Sequence, residues 1–195
     1  GAVGCFVAAC VAAGLAQAEA AGLVLDLRIG AQAVNLTGRE RTAITVNGSL
    51  PAPVLRVKEG ELLTVNVTNS LAEDTSIHWH GILLPANMDG VPGMSFAGIR
   101  PGETFQYRFP LKQSGTYWYH SHSAFQEARG LYGALIVEPR EPEPFAYDRE
   151  HVLLLSDWSD VHPARILDKL RKQPTYYNFH QRTLGDFFRD ARRKG

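Results

Sequence analysis

From Leu23 to Val137 the sequence consists of short runs rich in Val, Ile, Thr, Tyr and Phe, separated by turn residues. The spacing, roughly 8–12 residues, is that of a sandwich or barrel, and it leaves no room for a helix of ordinary length. The runs "LVLDLRI", "TAITVNG", "ELLTVNVTN", "SIHWHGI", "TFQYRFP", "GTYWYHSH" and "LYGALIVEP" are the expected strands. "NGSLPAP", "KEG", "GVPG" and "RPGE" are the expected turns, because Gly, Pro and Asn adopt the dihedrals that turns require. "LTVNVTNS" alternates apolar and polar, which predicts one buried and one wet face. This patterning defines an all-β domain over residues 22–140.

The flanks differ. Residues 1–20, "GAVGCFVAACVAAGLAQAEA", are small and apolar, with no charge before Glu19. They resemble the apolar part of a secretory signal, truncated at its start and followed by a small-residue cleavage site. Export to the periplasm or the outside is therefore expected. Both cysteines, Cys5 and Cys10, fall there, so a processed chain holds no thiol and no disulfide. The segment is too short and Ala-rich for a membrane span. With 20 basic and 20 acidic residues, the chain shows no imbalance that suggests a nucleic-acid or membrane partner.

At the other end, "EPREPEPF" marks a Pro- and charge-rich linker over residues 141–148. Residues 149–195 then read as the opening of a second domain. "HVLLLSDW" predicts a buried strand. "PARILDKLRKQ", with Pro in its first turn, and "LGDFFRDARRKG" predict two short helices. The Arg- and Lys-rich surface from Arg165 onward reads as a solvated helical face.

Two histidine pairs carry the chemistry: His78 and His80 in "HWHG", and His120 and His122 in "YWYHSH". On a strand, residues i and i+2 share a face about 6.6–7 Å apart. Metal–imidazole bonds are only about 2 Å long, so such a pair is too splayed to chelate one ion easily. It suits giving one imidazole to each of two neighbouring ions. If the two strands sit close, four imidazoles converge on one patch, and two such pairs point to a multinuclear site of imidazole-loving metals such as copper, zinc or iron. The lack of thiolate argues against structural zinc. His151, His162 and His180 have no partner pattern and read as surface residues.

"HWHG", "DGVPG", "YWYHSH" and "GLYGALIVEP" resemble the N-terminal cupredoxin domain of multicopper oxidases. "NGSLPAPVLRVKEGELLTVNVTN", "SIHWHGILLPANMDGVPG", "QSGTYWYHSHS" and the tail "DREHVLLLSDWSD" with "YYNFHQRTLGDFF" are similar to its periplasmic copper-resistance branch. The resemblance implies a Greek-key cupredoxin sandwich with copper as cofactor. It implies that His78 ligates a type 2 copper and that His80, His120 and His122 ligate a type 3 pair. Asp89 would assist proton delivery, though a turn aspartate before Gly90 is the alternative. Trp79, Trp118, Tyr117 and Tyr119 read as core packing, and Gly81 and Gly115 as tight turns or points of close approach to the cluster.

The departures qualify what the resemblance implies. The family completes its three-copper centre with four more histidines from a C-terminal domain, which also holds the type 1 copper on a Cys between two histidines. This sequence has no His-Cys-His and no third His-x-His, lacks the Cys some laccases carry near "SFAGIRPG", and has only Met88 and Met94. It is thus expected to supply half of the cluster of an oxidase whose partners are dioxygen, a one-electron reductant such as Cu(I) or a phenol, and the missing C-terminal domains. On that basis it has no turnover alone. The alternative is a non-enzymatic copper-binding or sequestering domain.

Overall fold

The computed structural model describes residues 22–180 and 182–194. The signal-like segment, with Cys5 and Cys10, lies outside the described residues. Eight strands form two four-stranded sheets. The first has the order β2 (Glu40–Val46), β1 (Leu23–Asn35), β4 (Leu62–Asn69), β6 (Thr104–Pro110). The second has the order β3 (Ala52–Lys58), β8 (Tyr132–Glu138), β7 (Gly115–His120), β5 (His78–His80). Pairs β1–β4 and β3–β8 are parallel, and the other neighbours are antiparallel. The chain passes repeatedly from one sheet to the other, so strands distant in sequence become neighbours. This is the expected all-β, Greek-key sandwich.

The core lies between the sheets. In β4, Leu63, Val65 and Val67 are fully buried. On its other face Asn66 donates to Asp26 and accepts from Gln106, while Thr68 pairs with Thr104, so the wet side carries cross-strand polar contacts. The largest buried side chains, Trp79, Tyr107, Tyr119 and Phe109, meet at the centre. Trp79 stands edge-on to Tyr107 at 5.4 Å and to Phe109 at 5.5 Å, joining the short strand β5 to the opposite sheet.

Four expectations need correction. First, β3 was not among the expected strands, because Pro51 and Pro53 make "NGSLPAP" look like a turn. The strand forms because it is an edge of its sheet, where a proline breaks no ladder on the open side. Its register shifts between Ala52 and Leu55, around Pro53, and beyond that Leu55 and Val57 are buried while Arg56 and Lys58 are exposed.

Second, "SIHWHGI" yields only three ladder residues. Thr75 pairs with Ile99, the Ile77 amide donates to the Tyr107 hydroxyl, and Gly81 turns the chain at φ 84°.

Third, β7 ends at His120, so His122 lies in the following turn, where the Ser121 amide donates to the Leu131 carbonyl.

Fourth, "HVLLLSDW" forms no strand. Leu153 and Leu155 are 85% and 92% exposed, alternating with partly buried Val152 and Leu154. The strand-like period is present, but no hydrogen-bonded strand neighbour exists among the described residues, and a lone strand has no ladder.

The helices follow the sequence. Helix α1 (Pro163–Lys172) starts on Pro163, with the His162 ring accepting from the Ala164 amide. Helix α2 (Leu184–Lys194) starts on a reciprocal cap: Thr183 Oγ1 accepts from the Asp186 amide and Asp186 Oδ2 from the Thr183 amide. No residue of α1 is buried. Residues 141–150 between sandwich and tail are exposed throughout.

Candidate metal centre

The site is built on the outer face of the β5–β7 pair. In β5, Trp79 turns inward and is fully buried, so His78 and His80 must turn outward. Across the ladder His78 faces His120, Trp79 faces Tyr119, and His80 faces Trp118. His122 is carried back to the same place by the turn after β7. Four imidazoles therefore converge: the His78 ring lies 5.5 Å from His80, 5.4 Å from His120 and 4.9 Å from His122, and His120 lies 5.0 Å from His122. Ligand nitrogens of His78, His80 and His120 all fall within 4.8 Å of one another. His120 is buried, His78 half-buried, and His80 and His122 are exposed, so the cluster opens outward.

Hydrogen bonds fix the orientation of two rings. Nδ1 of His78 donates to the Asp89 carbonyl at 2.8 Å and Nδ1 of His120 to the Ser121 carbonyl at 3.2 Å, while a Glu127 carboxylate oxygen lies 2.8 Å from that same Nδ1 at ion-pair distance. Carbonyl oxygens only accept, so both Nδ1 atoms carry the proton and both Nε2 atoms carry the lone pair that a metal needs. Nδ1 of His80 faces Nε2 of His120 at 3.3 Å. Trp118 stacks on His120 at 4.0 Å and on His80 at 4.9 Å, holding both rings from one side.

Burial pushes His120 down to about 4. The hydrogen bond to the Ser121 carbonyl partly opposes this, and the neighbouring His122, His78 and His80 rings add to it. A ring held neutral keeps a lone pair ready for a cation.

Asp89, the sequence candidate for proton delivery, is placed beside the cluster, with Oδ1 3.4 Å from Nδ1 of His78. It sits there because Gly90 adopts φ 77° and packs on the Ile77 carbonyl, where a side chain would collide. Trp118 is not core, as the sequence suggested, but part of the histidine face; its i−2 spacing from His120 carries that signal. Gly81 and Gly115 approach the Tyr117 ring rather than the cluster. Glu127 escaped the sequence reading, because its place depends on how a turn folds back.

The donor set fits copper: four imidazoles, two with Nδ1 already bound to a carbonyl oxygen, and no thiolate. A family model described as "Multicopper oxidase" matches residues 28–142. The chain belongs to the multicopper oxidase family, whose metal is copper. It is 63% identical to Copper resistance protein A of Escherichia coli over 174 residues, which cover 89% of this chain and 29% of that protein. Copper resistance protein A of Pseudomonas syringae pv. tomato is 59% identical over 174 residues, covering 89% and 29%. The chain thus spans about 29% of the length of these relatives. Among solved structures, a variant of the laccase from B. aclada matches with a TM-score of 0.70 and 38% identity, over 78% of this chain and 29% of that one. A multi-copper oxidase from Pseudomonas thermotolerans matches with a TM-score of 0.57 and 41% identity, over 64% and 32%. The sandwich is a cupredoxin-like domain of this family. No described helix is long and apolar enough to cross a membrane.

Proposed function

We propose that this chain is the N-terminal part of a multicopper oxidase of copper resistance and supplies half of the ligands of a three-copper centre. His78 is assigned to the type 2 copper, and His80, His120 and His122 to the type 3 pair. The observation that carries the reading is the convergence of four imidazoles at 4.9–5.5 Å on one outer face. That face is open, as half of a shared site must be. The other ligands, and the type 1 copper that needs a Cys thiolate, are assigned to the remainder of the longer protein. The relatives' greater length supports this assignment.

In the whole protein, one-electron oxidation of Cu(I) or a phenol is coupled to four-electron reduction of dioxygen to water. Copper, when bound, supplies the redox chemistry. This chain's residues orient and supply protons. The Asp89 and Ser121 carbonyls hold His78 and His120 at Nδ1, leaving Nε2 for the metal. The Asp89 carboxylate, 36% exposed and beside His78, is the proposed proton donor. The signal-like N-terminus supports a periplasmic or secreted location. The linker over 141–148 and the start of a second domain at 149 remain the proposed boundaries.

Copper counting with electron paramagnetic resonance tests this reading. The chain alone is expected to bind copper without oxidising phenols, and a longer product of the same gene to do both. Phenol oxidation by the isolated chain at enzymatic rates would overturn it. The second reading, a copper-holding domain without turnover, is favoured by the exposure of His80 and His122. It stands if the longer product also binds copper without turnover.

A further inference from the structure

The turn that follows β7 is built more firmly than a connection needs to be. Ala124 and Phe125 are consecutive non-glycine residues at φ 44° and 59°, left-handed conformations that side chains disfavour. What holds them is a buried polar anchor. Gln126 is fully buried; its Oε1 accepts from Thr75 at 2.6 Å and Ser121 at 2.9 Å, and its Nε2 donates to the Asp74 carbonyl at 2.8 Å. Beyond it, Arg129 pairs with Glu73 at 2.7 Å, and the Leu131 amide returns to the Gln126 carbonyl at 3.0 Å. With Gln126 fixed inward, the next residue, Glu127, reaches over the histidine face.

We infer that Glu127 is a positioning residue, whose carboxylate holds His120 at Nδ1 and thereby presents Nε2 to the metal. The Nδ1 hydrogen bond itself runs to the Ser121 carbonyl at 3.2 Å, and the carboxylate lies 2.8 Å from the same nitrogen, at ion-pair distance, where its negative charge favours keeping the proton on Nδ1. Its geometry is that of an outer partner: it touches the nitrogen turned away from the other imidazoles and is absent from the group of metal-competent atoms. Carboxylate–imidazole contacts of this kind raise ligand basicity and fix the ring. The inference rests on the proposed role of His120 as a copper ligand.

The test uses the chain with Glu127→Ala and Glu127→Gln and two readouts. The first is the ¹⁵N shifts of His120 without metal, well above its titration range. The second is Cu(II) affinity by chelator competition. Native His120 is expected as a single Nδ1–H tautomer. Glu127→Ala mixes the tautomers and weakens copper binding about 10- to 100-fold. Glu127→Gln keeps an acceptor, and with it the tautomer, while affinity falls by a smaller factor. An unchanged tautomer and affinity in Glu127→Ala would mean that the Ser121 carbonyl suffices, which overturns the inference. Failure of the native chain to bind copper would overturn the proposed function instead, and the tautomer readout would still decide the role of Glu127.

Discussion

His78 and His120 face each other directly across the β5–β7 ladder, with their rings meeting edge-on at 5.4 Å. Their neighbours in the ladder, Trp79 and Tyr119, form an equally direct pair on the other face, fully buried in the core. Core and site are thus two faces of the same three-residue strand, which makes them separable by mutation.

The exposed ligand should be removable without harm to the fold. His80→Ala is expected to leave the β-sheet circular dichroism and the melting temperature unchanged while lowering copper stoichiometry in the whole enzyme and stopping oxygen reduction. His120→Ala should do the same to copper and activity, with some loss of stability because His120 is only 4% exposed. Normal copper content and activity in both would remove these residues from the ligand set.

The buried side of the same strand should behave oppositely. Trp79→Ala empties the centre of the sandwich and is expected to cost about 3–5 kcal/mol, the range for large aromatic truncations. Urea unfolding measures this directly. A loss under about 1 kcal/mol would mean that β5 is not anchored through Trp79.

The metal-free chain should lose stability on acidification in a defined window. Unfolded, His120 takes a proton near its ordinary 6.5; folded, only near about 4, because of burial. Between those values the unfolded state binds more protons, so its population rises as pH falls, and above the upper value the contribution is flat. Histidine NMR titration should find the His120 ring still neutral well below its ordinary 6.5. Titration of His120 at 6.5 would contradict its burial.

Gly90 should tolerate no side chain. Gly90→Ala places a Cβ into the Ile77 carbonyl and forces alanine to φ 77°. The left-handed backbone alone costs roughly 1–2 kcal/mol. Since Asp89 precedes it, the variant is also expected to free His78 and weaken copper binding. Wild-type stability and affinity together would show that this turn does not hold His78.

The tail should be dispensable for the sandwich. It touches the sandwich through contacts such as Thr37–Asp160, Arg41–Asp160, Arg56–Glu150 and Tyr132–Ser156, which are exposed or half-buried. Such contacts contribute little each. Removing residues after Pro142 should keep the β signature, with melting lowered by a few degrees at most. Loss of the signature would place the domain boundary beyond residue 142.

Much of this was legible in the sequence because it is local. The alternation in "LTVNVTNS" requires a strand with one dry face wherever that strand ends up, and Val65 and Val67 are duly buried. "PARILDKLRKQ" carries its own start signal in Pro163. Trp between two histidines likewise commits the histidines to one side once Trp79 is inside. Local signals failed where the outcome depended on neighbours. The prolines of β3 argued against a strand, and only its edge position made them harmless. "HVLLLSDW" has the period of a strand but no strand partner among the described residues.

By itself the sequence determined the residue types of the site and the period that puts His78 and His80 on one face, because side-chain alternation follows from covalent geometry. Only the tertiary structure decided that β5 lies against β7, which brings together pairs forty residues apart. It also decided that His122 returns to the cluster from a turn, and that Glu127 meets His120. Those contacts depend on strand order and on a turn pinned by the buried Gln126, and no run of neighbouring residues encodes either.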